Sequence, residues 1–521
     1  MSKLVYADLT QEKVTVENIE TDYKNSGRAL AARLIWERVP AGADYLSEEN
    51  AIVLAPGFLT GTQAPSTGRL NIGAKRSEGS DVRMINIAGP ISQKIASMDI
   101  AALMITGAAK GSNTVLHIEK DSLSFHKLDE ISGMSTGKTV EYLRALWGED
   151  TSIIGIGPCG EHVLPIASIF STYKNGHPAY YCSRGKMGDI FGYKGIKAIA
   201  VSGKNHFSAK VSDEEAFRKA SKRLGKKIIE NPVCGGALPA YGSITLIKMM
   251  REGKNFKIKK ETEKKKESKG AVVTYNDMPV NKNCAPNCVI GCLNRHRSSD
   301  DTPYSSPAES EAYAACKDLF GIDDKDFIIN LNKQCFNLGA DTLEFLSSCA
   351  MLFEAYDEKP SKGKLVNCIE ELRKLTAKGR IIGSGTRGIY GLYAENKALK
   401  AMMTKPSYKE EGSFKLDLKN RAPGCEDLSP AEYLYGYIAA SGNLGLCLFT
   451  SFAMLEDSEA MEILADLVKA KTGSDIKSAD LIKEALSSLK EQRQVRHDSL
   501  SGDIASYMPE FVKVLYRYFG Q

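Results

Sequence analysis

The chain has 521 residues, 43% hydrophobic, 26% charged and 8% aromatic, which excludes a disordered or fibrous protein and gives room for roughly two to four domains with clefts between them. It opens on a polar stretch without a basic and apolar leader, and no apolar run approaches the roughly 18 residues that cross a bilayer, so a cytoplasmic protein that does not enter the membrane is expected. Its formal net charge of +5 falls within residues 251–269, where nine basic side chains stand against four acidic ones; the rest is neutral, which excludes a broad nucleic-acid-binding face.

In chain order, the first 200 residues read as short apolar β-type runs closed by glycine, at 51–57, 101–107, 152–157 and 197–203. From about residue 212 the apolar spacing turns helical, over 214–230, 326–338, 341–356, 365–378 and 479–492. Between these helical stretches the lysine-rich 251–269 reads as a solvated insertion; the sharper reading is a docking patch for an acidic partner. No internal repeat is visible.

Two segments fit the glycine spacing of dinucleotide-binding turns, Gly155-Ile-Gly157-Pro-Cys-Gly160 and Gly383-Ser-Gly385-Thr-Arg-Gly388. That fingerprint needs a strand, a helix N-terminus on the pyrophosphate and an acid about 20 residues on. No Asp or Glu occurs between 175 and 185, and Pro158 occupies the turn that would open the helix. A glycine-rich strand-to-loop turn is the plainer expectation at both.

Twelve cysteines in a reducing compartment bind metal more often than they pair as disulfides. Three stand at a spacing of four: Cys284-Ala-Pro-Asn-Cys288-Val-Ile-Gly-Cys292. Pro286 and Gly291 argue against one regular helix carrying them. Thiolates this close can ligate an iron–sulfur cluster with a fourth ligand from elsewhere. Zinc is the competing metal, with His296 able by composition to complete a tetrahedral set. The remaining nine are scattered singly and, apart from any that supplies the fourth ligand, read as small buried apolar residues.

Several stretches together resemble the tungsten-containing aldehyde ferredoxin oxidoreductases, enzymes of tungstopterin or molybdopterin and iron–sulfur. These are residues 27–40 as the opening helix, 56–69 (Pro-Gly-Phe-Leu-Thr-Gly-Thr-Gln-Ala-Pro-Ser-Thr-Gly-Arg) as the first pterin loop, Ile156-Gly-Pro-Cys-Gly-Glu161, and Ser183-Arg-Gly-Lys-Met-Gly188. Pro307-Ala-Glu-Ser-Glu311, Asn337-Leu-Gly-Ala-Asp341 and Leu444-Gly-Leu-Cys447 follow in the family's order.

The resemblance implies an α+β fold: a β-rich pterin-binding domain over 1–205, a helical domain over 206–350 with the lysine-rich insertion and the cysteine loop, and a helical C-terminal domain over 351–521. It implies that Arg69 and Arg184 hold pterin phosphates, where a planar guanidinium fork suits the anion. Asn86 and Gly185 would offer carbonyls to a Mg2+ ion bridging those phosphates, and Asp341 would face a pterin ring. Cys284, Cys288, Cys292 and Cys447 would hold a [4Fe–4S] cluster, and Glu311 would be the carboxylate beside a tungsten or molybdenum bis-pterin centre.

The departures are specific. Three residues separate Cys284 from Cys288 where the family has two, so the loop must bulge. Phe336 and Gly442 stand where the family opens its pterin-ring motifs with carboxylates, and no histidine occurs between His296 and His497, where its catalytic histidine belongs. The activity that the resemblance implies is two-electron oxidation of an aldehyde to a carboxylate with ferredoxin or a dedicated iron–sulfur subunit as acceptor, with a homodimer as the candidate assembly. The rivals are reduction of an aromatic or carboxylic compound with the same cofactor, an electron-relay subunit without turnover, and a zinc-stabilised binding protein.

Overall fold

The computed structural model describes residues 2–75, 82–111, 113–120, 122–173, 180–182, 185–203, 207–252, 273–275, 278–280, 283–293, 295–297, 303–305, 309–397, 399, 420–494 and 515. Arg184, His497 and residues 253–269 of the lysine-rich segment lie outside them.

Two six-stranded sheets build the N-terminal part. The first uses β1 (Ser2–Asp8), β2 (Lys13–Ile19), β3 (Ile52–Pro56), β4 (Arg69–Lys75), β5 (Val82–Ala88) and β6 (Ile100–Thr106), in the order β2-β1-β6-β3-β4-β5. The second uses β7 (Thr114–Glu119), β8 (Ser122–Lys127), β9 (Ser152–Ile156), β10 (Ile169–Thr172), β11 (Tyr180–Cys182) and β12 (Ile196–Val201), in the order β11-β10-β9-β12-β7-β8. The apolar runs read from the sequence are β3, β6, β9 and β12, and β3, β9 and β12 are buried at every residue. Strands covered on both faces lose the alternation of a half-exposed strand and become continuous apolar runs.

The two sheets are one topology used twice. Read backwards, the second order maps β7 onto β1, β8 onto β2 and β9 to β12 onto β3 to β6. Each sheet has a single parallel pair at the same place, β1 with β6 and β7 with β12, and every other pairing is antiparallel. Helices sit at matching points: Gly27–Arg38 and Thr136–Trp147 before the third strand of each unit, Pro90–Ser97 and Gly188–Tyr193 before its last. The repeat is one of topology alone, and no repeat is visible in the sequence. Strand pairing and burial accept many apolar residues, so the topology recurs without a recurring sequence.

Beyond residue 212 the described chain is mainly helical, which makes the fold α+β. Helix Glu214–Glu230 starts on Asp213, whose side chain accepts from Ala216 N, and matches the sequence reading. The 365–378 reading is two helices, Lys362–Lys374 and Ala377–Gly383, because Leu375 adopts the left-handed conformation at φ +54°. Residues of 217–249 share a core with those of 422–482, and residues of 312–399 form another with 159–167. Apart from the three loop cysteines and Cys447, every cysteine whose side chain is among the described residues is buried, as expected. Five of them, Cys159, Cys316, Cys335, Cys349 and Cys368, gather in that second core.

Two helices end against the two sheets in the same way. Helix Lys325–Leu338 stops at left-handed Gly339, and helix Pro430–Leu444 stops at left-handed Gly445. Each glycine follows the same pair, Asn337-Leu338 and Asn443-Leu444. Gly445 meets Gly57 at the end of β3, where an added Cβ would lie 2.0 Å from Gly445 N. Gly339 meets Gly157 at the end of β9, where an added Cβ would lie 2.6 Å from Gly339 N. No side chain fits at either of these two seams, where backbone crosses backbone.

Candidate metal and cofactor site

The first seam is built on the loop 57–69. Its hydroxyls satisfy its own carbonyls: Thr60 Oγ1 donates to Thr67 O at 2.8 Å, Thr67 Oγ1 to Ala64 O at 2.8 Å and Thr62 Oγ1 to Leu59 O at 2.6 Å. Helix Pro430–Leu444 is fixed at its start by a capping box between Ser429 and Glu432 and by Pro430 in its first turn. Phe58 N and Leu59 N donate to Asn443 O and Leu444 O at its end. Two residues past Gly445 stands Cys447, whose N donates to Ser66 O at 2.9 Å.

The cysteine loop joins the same seam. Ser66 N donates to Asn287 O at 2.8 Å, Asn287 Nδ2 to Ala64 O and Thr67 Oγ1, and Val289 N to Ser66 Oγ. Residues 283–293 hold no regular helix, and the extra residue between Cys284 and Cys288 is taken up in a turn closed by Cys288 N on Ala285 O. The structure therefore brings Cys284, Cys288, Cys292 and Cys447 together although 155 residues separate the last two (447 minus 292).

Their thiols respond to one another. Cys288 is pulled down to about 6, first by the hydrogen bond from Cys284 and then by Gly291 and Ile290 N–H and the Arg69 charge, against the opposing effect of burial. The hydrogen bond with Cys288 and burial push Cys284 up; burial, then Cys288 and Cys447, push Cys292 up. Arg69 Nη2 donates to Cys447 Sγ at 3.1 Å. One thiolate is accommodated, and more would need a cationic partner among them. A site of buried sulfur donors that repel each other as anions fits a metal cluster. Among the described residues no three His, Cys, Asp or Glu side chains close on a single ion, whereas a cluster binds each cysteine to a different iron.

Two buried amide atoms beside this loop have no partner among the described residues, Gln93 Nε2 and Asn287 Oδ1. Both face Gly68, where an added Cβ would lie 3.4 and 3.0 Å from them. Gln93 is anchored by its other end, Oε1 accepting from Gly61 N. A buried donor and acceptor left open are what the edge of a polar ligand such as a pterin requires. Sequence reading missed both; Asn287, between two cysteines, carried the only signal.

Of the remaining expected residues, Asn86, Gly185 and Asp341 lie about the two seams. Asn86 on β5 pairs across the ladder with Asn71, donating from Nδ2 to its Oδ1 at 3.1 Å, and Asn71 Nδ2 donates to Gly442 O at 2.9 Å. Gly185, at φ +114°, packs so tightly on Ile85 that an added Cβ would lie 2.2 Å from its Cγ2, which puts Gly185 beside Asn86. Asp341 caps helix Thr342–Ala355, accepting from Leu343 N and Glu344 N at 3.0 and 3.1 Å. Glu311 is half-buried on helix Glu309–Phe320, next to the buried Ala312. Phe336 is buried near the second sheet, its carbonyl accepting from Thr136 Oγ1.

The glycine fingerprints come out differently. Gly157 does follow a strand, and Pro158 opens a one-turn helix, Pro158–Glu161, rather than blocking it; a first helical position tolerates proline. The second segment is a junction between helices Ala377–Gly383 and Gly385–Leu392, with no strand before it, which corrects the strand-to-loop expectation. Sequence reading missed an ion pair that this junction joins: Lys186 Nζ lies 2.9 Å from Glu344 Oε1, with side chains 21% and 15% exposed. Thr386 N and Oγ1 also donate to Glu344 Oε1.

Family models described as the aldehyde ferredoxin oxidoreductase N-terminal domain and domains 2 and 3 match residues 4–203 and 219–381. The chain belongs to the aldehyde ferredoxin oxidoreductase family. It is 26% identical to the tungsten-containing aldehyde ferredoxin oxidoreductase of Pyrococcus furiosus over 92% of this chain and 86% of that protein. The protein of the same name from Thermococcus kodakarensis is 28% identical over 64% of this chain and 54% of its own length. Among solved structures, the active-site complex BamBC of benzoyl coenzyme A reductase with 1,5-dienoyl-CoA shares the fold, with a TM-score of 0.76 at 16% identity over 98% of this chain and 90% of that one. Membership makes this chain a tungsten-pterin oxidoreductase, in a family that combines that cofactor with an iron–sulfur cluster. Among the described residues no helix is long and apolar enough to cross a membrane.

Proposed function

We propose that the chain oxidises an aldehyde to a carboxylate, with Cys284, Cys288, Cys292 and Cys447 as ligands of one [4Fe–4S] cluster. The observation that supports this best is the convergence of three loop cysteines on a fourth at a seam that also holds Arg69. When bound, tungstopterin supplies two-electron chemistry and the cluster a single-electron exit. Arg69, whose Nη2 donates to Cys447 Sγ, would hold a pterin phosphate with its guanidinium fork and offset the charge at Cys447. Arg184 holds a second phosphate, the carbonyls of Asn86 and Gly185 a Mg2+ ion, and Asp341 a ring edge. Gln93 and Asn287 turn their open amide atoms to the cofactor. Glu311 would accept a proton from the water that supplies the carboxylate's second oxygen and pass it to solvent as the two electrons leave. Electrons leave to ferredoxin or a dedicated iron–sulfur subunit.

A second reading is reduction of an aromatic or carboxylic compound through a partner subunit. It is favoured by the missing histidine, by Phe336 and Gly442 in place of carboxylates, and by the kind of complex in which the fold neighbour was solved. The two readings separate in one assay. Anaerobic protein that reduces a viologen dye with any of a panel of aldehydes supports oxidation. Dye consumption only when reduced viologen is offered with aromatic acyl thioesters supports reduction, and no turnover with either supports an electron-relay subunit.

A further inference from the structure

The first seam is closed by the cysteine loop and by Arg69 reaching Cys447. The second is closed by different means. Lys186 follows Gly185 in the second sheet unit, and Glu344 stands in the helix that Asp341 caps, five residues after Gly339. Their contact ties sheet to helix across the seam, and Thr386 adds two donors to the same Glu344 oxygen. The fit is close: an added Cβ at Gly385 would lie 2.7 Å from Glu344 Oε1. Lys186 itself has φ +50°, directly after Gly185 at φ +114°. Two successive left-handed residues, one of them not glycine, are a turn held by its surroundings.

We propose that Lys186 and Glu344 form a lock that seats the tungstopterin, positioning Gly185 and Asp341 on either side of it, while the cluster is held independently at the first seam. This rests on the functional reading above. A mostly buried ion pair with three donors on one carboxylate oxygen orients what it joins, and removing one partner frees both walls. Neither residue is a catalytic residue; each acts through the segments it fixes.

The test is the ratio of tungsten or molybdenum to iron in anaerobically purified wild type, Glu344→Gln, Lys186→Met and Lys186→Arg, with extracted pterin fluorescence as a second measure. The expected result is that Glu344→Gln and Lys186→Met keep their iron but lose more than half of the heavier metal and the pterin, and that Lys186→Arg, which keeps the charge, retains both. If Glu344→Gln loses iron as well, its circular dichroism is compared with wild type: a folded variant without iron overturns the independence of the two seams, and an unfolded one leaves the decision to Lys186→Met, where Glu344 keeps its Thr386 donors. Ratios equal to wild type in both variants overturn the lock alone; a wild type with iron and neither heavier metal overturns the lock and the functional reading together.

Discussion

Arg69 places its guanidinium Nη2 3.1 Å from Cys447 Sγ, joining the first residue of β4 to a cysteine delivered by a helix end 378 residues away (447 minus 69). A fixed positive charge at a cluster ligand stabilises the reduced, more negative state. Arg69→Gln is therefore expected to lower the cluster's midpoint potential by about 60 mV, the one-electron equivalent of about 1.4 kcal/mol. A redox titration followed by the reduced cluster's paramagnetic signal measures it, and an unchanged potential would remove Arg69 from this role.

The glycine seams predict intolerance to the smallest side chain. Gly57→Ala would put a methyl group 2.0 Å from Gly445 N, backbone against backbone, where no rotamer can relieve it. We expect a loss of about 3 kcal/mol, the upper range for overpacking, with iron content falling because Cys447 lies two residues beyond. By contrast Gly236, with open space around it, accepts alanine with little change in Tm.

Glu161 and Lys197 form an ion pair with side chains 6% and 0% exposed. Glu161 also accepts from Gly133 N at 2.8 Å. Removing one partner of such a pair strands the other charge, at about 3–5 kcal/mol. Glu161→Leu should lower stability in denaturant titration by that order, and the double variant with Lys197→Met should recover part of it.

Lys194 is buried on β12's approach, its ammonium donating to Gly107 O at 2.7 Å, and burial lowers it to about 8 against weaker support from Glu48 and Asp8. Its folded pKa lies below its unfolded value of 10.5, so the unfolded chain binds more protons between those limits and stability rises with pH from about 8 to about 10.5. Lys194→Met lacks this dependence. Its stability relative to wild type is therefore more favourable at pH 7 than at pH 10, by on the order of 3 kcal/mol at most. A difference that does not vary with pH would contradict this.

Much of the framework is legible in the sequence because it rests on local patterns. Apolar runs ending at glycine give β3, β6, β9 and β12, and capped amphipathic stretches such as Glu214–Glu230 give helices. Cys284, Cys288 and Cys292 announce themselves by spacing. What is not legible is long-range and chemically unmarked. The repeated sheet topology leaves no repeated residues, since pairing constrains burial and not identity. Lys186 and Glu344 are 158 residues apart (344 minus 186), and nothing distinguishes them from the many solvated lysines and glutamates. Gly383-Ser-Gly385 mimics a phosphate-binding turn because glycine spacing records only close backbone approach, which a helix junction also needs.

The proposed activity requires one [4Fe–4S] cluster on Cys284, Cys288, Cys292 and Cys447 beside a tungsten or molybdenum pterin. Anaerobic metal analysis of wild type and Cys447→Ala tests it most directly. The expected result is about four iron and one tungsten or molybdenum per wild-type chain, with iron reduced in Cys447→Ala. Stoichiometric zinc in place of iron, or full iron retained in Cys447→Ala, would contradict it.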